Sequence, residues 1–198
     1  VAGITAGPDG NLWFADDTND AIAKATTDGT ITAYLLPSSD THVYGTAHLV
    51  AGPDGNVWFT ESTHQRVGKI APDGTITEYV IPAPLLPEGI TRGPDGNLWF
   101  AGGNALGKIT PSGQITVYPL TLPDGTTGDA QEIARGGDGN LWFIGAAGFG
   151  KMTPAGTVTA YYPAMLNLPR ITRADDGSLW ITDSQSKTLR HISFRSST

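Results

Sequence analysis

The 198-residue chain contains no cysteine, which excludes disulfides, thiolate metal sites and a cysteine nucleophile. It has no run of lysine or arginine, and 12 basic against 19 acidic residues leave a formal net charge of −7. A field of that sign repels a polyanion, so nucleic acid is not an expected partner. No apolar stretch approaches the length of a membrane span, and no membrane insertion is expected. Charged residues are only 16% of the chain, too few for a self-repelling disordered segment. There is no glycine-rich phosphate loop opening a helix, no paired-histidine helix motif and no serine nucleophile elbow.

Glycine and proline, at 26 and 14 residues, are plentiful and evenly spread. The string Ile4-Thr5-Ala6-Gly7-Pro8-Asp9-Gly10-Asn11-Leu12-Trp13-Phe14 returns at 49–59, 90–100, 133–143 and 171–181, placing Trp13, Trp58, Trp99, Trp142 and Trp180 in one column. A second half recurs as well: Ala21-Ile22-Ala23-Lys24 with Gly29-Thr30-Ile31-Thr32-Ala33-Tyr34 matches Val67-Gly68-Lys69-Ile70 with Gly74-Thr75-Ile76-Thr77-Glu78-Tyr79. Each repeat holds four short runs rich in β-branched and aromatic residues, joined by Pro-Asp-Gly-type hairpin turns. One such blade has two faces to cover, and stacking blades around an axis covers both.

The expected fold is therefore all-β: a five-bladed β-propeller of four-stranded antiparallel blades, at about 1–36, 47–82, 88–120, 131–163 and 169–198. A β-solenoid competes, but its coils are usually shorter and lack paired hairpin turns. The tryptophans are expected between blades rather than as sugar-stacking platforms. The last blade lacks a strand, and only Val1-Ala2-Gly3 precedes the first. Either the ring closes through a three-stranded blade, or the chain is part of a larger propeller. The absence of a methionine before Val1 points to an upstream segment, either a signal peptide or further protein, that has been removed or left out.

Loops in a four-stranded meander alternate between the two faces of the ring. The Pro-Asp-Gly turns share one face, and the variable connections share the other, where functional groups preferentially sit. Asp16, Asp17, His42, Tyr44, His48, Glu61, His64 and Arg66 cluster there. A histidine beside carboxylates can act as a general base, and hard oxygen ligands suit magnesium or calcium. The alternative is that these are solvated loop charges. The third position of the innermost strand is Ala6 and Ala51 in two blades but Arg92, Arg135 and Arg173 in the others. These guanidinium groups converge near the axis, where either Glu88, Glu132 and Asp183 or a bound anionic ligand must offset their repulsion.

Gly-Pro-Asp-Gly-Asn-Leu-Trp-Phe followed by Gly-Lys-Ile and Gly-Thr-Ile-Thr-Glu-Tyr closely resembles the blade of the streptogramin lyase (virginiamycin B lyase) family, over essentially the whole chain. NHL-repeat and SMP-30/gluconolactonase-like propellers are looser relatives by resemblance. The resemblance implies a seven-bladed fold and a magnesium-dependent elimination opening a cyclic depsipeptide, with a histidine base and glutamate metal ligands. It carries residues only onto the second blade: His48 as candidate base and Glu61, helped by Asp16, as candidate metal ligands. Arg92, Arg135, Arg173, His42, Tyr44 and His64 are candidate ligand-binding residues.

Three functions remain open. The first is an extracellular or periplasmic binding propeller taking a small molecule, glycan or protein on the variable-loop face. The others are a divergent streptogramin B lyase-type enzyme and a structural module of a longer secreted protein.

Overall fold

Runs of five or six residues such as Val57-Trp58-Phe59-Thr60-Glu61, cut by turns whose glycines take positive φ, can only fold as short hairpin strands. A computed structural model describes residues 3–16, 18–37, 48–83, 85–163, 170–183 and 186–194. All the regular elements among them are strands. Blade 1 contains β1 (Ile4–Ala6), β2 (Leu12–Asp16), β3 (Ala21–Ala25) and β4 (Ile31–Leu35). Blade 2 contains β5 (Leu49–Ala51), β6 (Val57–Glu61), β7 (Arg66–Ile70) and β8 (Ile76–Val80). Blade 3 contains β9 (Ile90–Arg92), β10 (Leu98–Gly102), β11 (Ala105–Ile109) and β12 (Ile115–Pro119). Blade 4 contains β13 (Glu132–Arg135), β14 (Leu141–Gly145), β15 (Gly148–Met152) and β16 (Val158–Pro163). Blade 5 has three described strands, β17 (Arg170–Arg173), β18 (Leu179–Asp183) and β19 (Thr188–Ile192). Each sheet is an antiparallel meander in chain order, as the repeat predicts.

The blades stack with a fixed polarity. The tryptophan face of each covers the Leu/Phe face of the next: Trp13, Ala15 and Ile22 pack on Val57, Phe59 and Ile70, and Trp58 and Val67 on Leu98, Phe100 and Ile109. The same contact joins blade 3 to blade 4 and blade 4 to blade 5. Each of the first four indoles is also held within its blade. Trp58 Nε1 donates to Asp54 Oδ1 of the preceding turn at 2.9 Å, Tyr79 stacks on the ring, and Lys69 Nζ lies 5.2 Å from its centroid. Four of the five lysines repeat this arrangement.

Trp180 departs from the expected burial. It is 39% exposed, whereas Trp13, Trp58, Trp99 and Trp142 are buried. There are two physical reasons. No described blade covers its face. In addition, Ala174 stands where the other blades have Gly7, Gly52, Gly93 and Gly136, positions at which an added Cβ would fall within 2.6 Å of the indole. The ring stacks instead on His191, 4.4 Å away. At the other end of the array Ile4, Leu12 and Ile31 of blade 1 are exposed. Inner strands pack consecutively from β1 through β5, β9 and β13 to β17, while β17 and β1 are not packed together in this way. Among the described residues the five blades therefore follow one another as an arc, in which blade 5 and blade 1 do not stack on each other as the other neighbours do.

Candidate functional site

Each inner strand begins on the variable-loop face, and the residue at that start is Gly3, His48, Gly89, Glu132 or Arg170 in successive blades. Blade stacking carries this column to the axis. There Gly3, His48, Glu132 and Arg170 line the mouth of a cavity of about 310 Å³, whose walls continue through Ile90, Ile133 and Ile171 to Arg173. Arg170 Nη1 donates to Glu132 Oε1 at 2.8 Å, and His48 Nδ1 lies 3.5 Å from Glu132 Oε2. One carboxylate thus joins blades 2, 4 and 5 across the axis.

The backbone positions these groups through strand pairing. His48 N donates to Thr60 Oγ1 at 3.2 Å, Arg170 N donates to Thr182 Oγ1 at 3.0 Å, and Thr60 Oγ1 in turn donates to the Glu88 carbonyl at 2.7 Å. A threonine in the second strand thus fixes the start of the inner strand in both blades. Gly89 permits blades 3 and 4 to approach: its N–H donates to the Gln131 carbonyl at 2.8 Å, and a Cβ there would lie 2.8 Å from Glu132 Cα.

Burial dominates the electrostatics. Glu132, 6% exposed, has its carboxyl pushed up to about 7 by desolvation, with Glu88 raising it further and Arg170 opposing. The Arg170 side chain is 60% exposed, so water screens its charge and it only partly offsets the desolvation. Burial, aided by Arg170, holds His48 below its ordinary value. Glu88 is raised by burial and by Asp129. Near neutral pH the pair comprises a neutral imidazole and a carboxyl poised between its two forms, beside a permanent cation. Such a set can bind an oxygen-rich group or transfer a proton.

The other sequence candidates separate. Glu61 is buried and pairs with His64, whose Nδ1 lies 3.6 Å from Glu61 Oε2, one strand outward from the axis. Asp16 accepts from Asn19 Nδ2 at 2.7 Å in its own loop. His48, Glu61 and Asp16 therefore fall into three different groups, and no three metal-ligating side chains converge among the described residues. Among the described residues these side chains do not make up a magnesium centre. His42, Tyr44 and Asp17 lie outside the described residues. Arg92, Arg135 and Arg173 end their inner strands at the opposite, turn-face end of the axis, and all three are exposed. The partners considered for them act elsewhere: Glu132 pairs with Arg170 and His48, Asp183 accepts from Ser186 Oγ, and Glu88 lies in the field of Asp129 and Arg170. Sequence reasoning missed Arg170 altogether. The signal available was the chemistry of the column before the inner strand, set beside the threonines at 60 and 182.

Comparison with known proteins agrees with this architecture. The profile of the virginiamycin B lyase family matches residues 1–198. The structure of selenomethionine-substituted virginiamycin B lyase from Staphylococcus aureus is 31% identical with a TM-score of 0.79, over 98% of this chain and 69% of that one. A catalytically inactive His-to-Ala variant of the Staphylococcus aureus enzyme, solved with quinupristin, is 30% identical with a TM-score of 0.80, over 98% and 70%. The nidogen/laminin complex, at 18% identity and a TM-score of 0.70 over 96% of this chain and 74% of that one, shares the fold alone. No functionally curated protein is a significant match in sequence. The chain belongs to the virginiamycin B lyase family.

Proposed function

We propose that this propeller is a small-molecule-binding protein of the lyase family, secreted as such repeats suggest, with its ligand held at the axial mouth on the variable-loop face. One observation carries the reading: buried Glu132 is joined to Arg170 and His48 at the rim of an open cavity of about 310 Å³. Arg170, mostly exposed, can receive a ligand carbonyl or carboxylate, and the cavity presents mainly polar surface, which suits a ligand rich in amide and ester groups. The relatives name the class to try first, a cyclic depsipeptide such as quinupristin.

The test is titration of quinupristin at pH 7.5, with and without magnesium, followed by mass analysis of the mixture. Saturable binding is expected, independent of magnesium, weakened at least fivefold by Arg170→Ala and by Glu132→Gln, with the ligand mass and retention unchanged. No binding, or binding indifferent to both substitutions, overturns the reading.

A second reading rests on the carboxyl that titrates near 7. Ionised Glu132 would take the proton α to an acyl group while the adjoining C–O bond breaks, leaving an alkene and a carboxylate facing Arg170. Ring opening without added metal, lost in Glu132→Gln, establishes that reading in place of simple binding.

A further inference from the structure

We propose that the turn-face end of the axis is a second binding site, specific for a doubly charged oxyanion such as phosphate or sulfate, formed by Arg92, Arg135 and Arg173. Four of the seven arginines in a chain of net charge −7 lie on inner strands. Arg170 serves the mouth, and the other three close β9, β13 and β17 in one register, paired with Leu98, Leu141 and Leu179. Inner strands are the closest approach between blades, and these three are consecutive neighbours. A side chain as long as arginine's can therefore bring three guanidinium groups to one ligand.

The local geometry draws them together. The blade 4 and blade 5 turns meet where Gly137 N donates to the Gly177 carbonyl at 3.0 Å. A point 3.3 Å from Gly137 Cα, the Cβ position at Gly177, is also 3.4 Å from Arg173 Nη2. The Arg173 guanidinium thus folds over its own turn toward blade 4, where Arg135 stands two residues before Gly137.

The nearby acids do not neutralise them. Asp95 accepts from Trp99 Nε1 at 3.0 Å and from Asn97 Nδ2 at 2.8 Å. Asp138 accepts from Trp142 Nε1 at 3.2 Å and interacts with Lys151 at 3.4 Å. Asp176 accepts from Ser178 Oγ at 2.6 Å. No carboxylate among the described residues lies within ion-pair distance of the three arginines. Three like charges held on a rigid scaffold repel each other until an anion joins them.

That conflict gives a test with two opposite signs. Thermal unfolding of the whole chain is followed in sodium phosphate, sodium sulfate and sodium chloride at matched ionic strength, beside Arg135→Gln and Arg170→Gln. Phosphate or sulfate at tens of millimolar is expected to raise the midpoint by several degrees over chloride, by preferential binding to the folded state. Arg170→Gln keeps that increment. Arg135→Gln loses it, yet unfolds at a higher temperature than the native chain in low-salt buffer, because the central repulsion is gone. An arginine side-chain NMR titration with phosphate gives a second readout, with Nε–Hε shifts confined to the three residues. A phosphate increment retained in Arg135→Gln, no increment in the native chain, or Nε–Hε shifts centred on Arg170 overturns the proposal. Arg173 also lines the axial cavity, so the two outcomes are separated by the variants: Arg135→Gln is expected to lose the phosphate increment and keep quinupristin binding, and Arg170→Gln to do the reverse.

Discussion

A carboxyl group on a residue with only 6% of its surface in water is costly to ionise, and Glu132 is in that position. Unfolded, it titrates near 4.5, and folded, at about 7. Between those values the folded chain keeps a proton that the unfolded chain has released. Stability therefore falls as pH rises through the window, and the penalty is complete above it. His48 acts with the opposite sign. Its folded pKa lies below 6.5, so the unfolded chain binds the proton first and stability is lost as pH drops below 6.5. Glu88, raised by burial, adds to the Glu132 trend. Glu132→Gln removes one contribution from the three. The native-minus-variant difference in unfolding free energy, from urea melts, should decline by on the order of 3 kcal/mol between pH 4.5 and 7.5. A flat difference would show that Glu132 titrates normally in the folded chain.

Turn and second strand behave as one element. Asp54 holds both Asn56 and the Trp58 indole, and the indole lies so close over Gly52 that a Cβ there would stand 2.4 Å from Trp58 Cδ1. Gly52→Ala must displace a fully buried ring or the turn, and should cost about 1–3 kcal/mol by overpacking, read from denaturant midpoints. An unchanged midpoint would mean that the ring has room to move. This unit was legible in the sequence because it repeats, and the repeat also yielded the blades, their strand order and four buried tryptophans. Ala174 was equally visible, but its consequence for Trp180 depends on a contact distance that no pattern encodes. The site was harder to read for a different physical reason. A propeller brings together residues a whole repeat apart, and its functional column changes chemistry at every step, from Gly3 to His48, Gly89, Glu132 and Arg170. Period-based reading sees that column as irregular loop. Glu132 was considered as a partner for the arginine column, yet inner strands have two ends, and Glu132 starts β13 where Arg135 finishes it.

At the scale of the molecule, stacking polarity decides which substitutions matter. A tryptophan face contributes hydrophobic stabilisation only where the next blade's Leu/Phe face covers it. Four such interfaces exist among the described residues, while Trp180 and Leu189 at one end of the arc and Ile4, Leu12 and Ile31 at the other are exposed. The relatives from Staphylococcus aureus extend beyond the region matched here, which is 69–70% of their length. The five tryptophans, equivalent in sequence, should therefore be unequal in energy. Trp58→Ala empties an interior position and should lower stability by about 3–5 kcal/mol. Trp180→Ala removes a ring already partly in water and, among the described residues, stacked on His191, and should cost about 1 kcal/mol or less. Urea unfolding of both variants at low protein concentration measures the difference, and acrylamide quenching of the native chain should show one accessible tryptophan that Trp180→Phe removes. Equal costs for the two alanine variants would mean that blade 5 and blade 1 cover one another in solution and that the arc is closed.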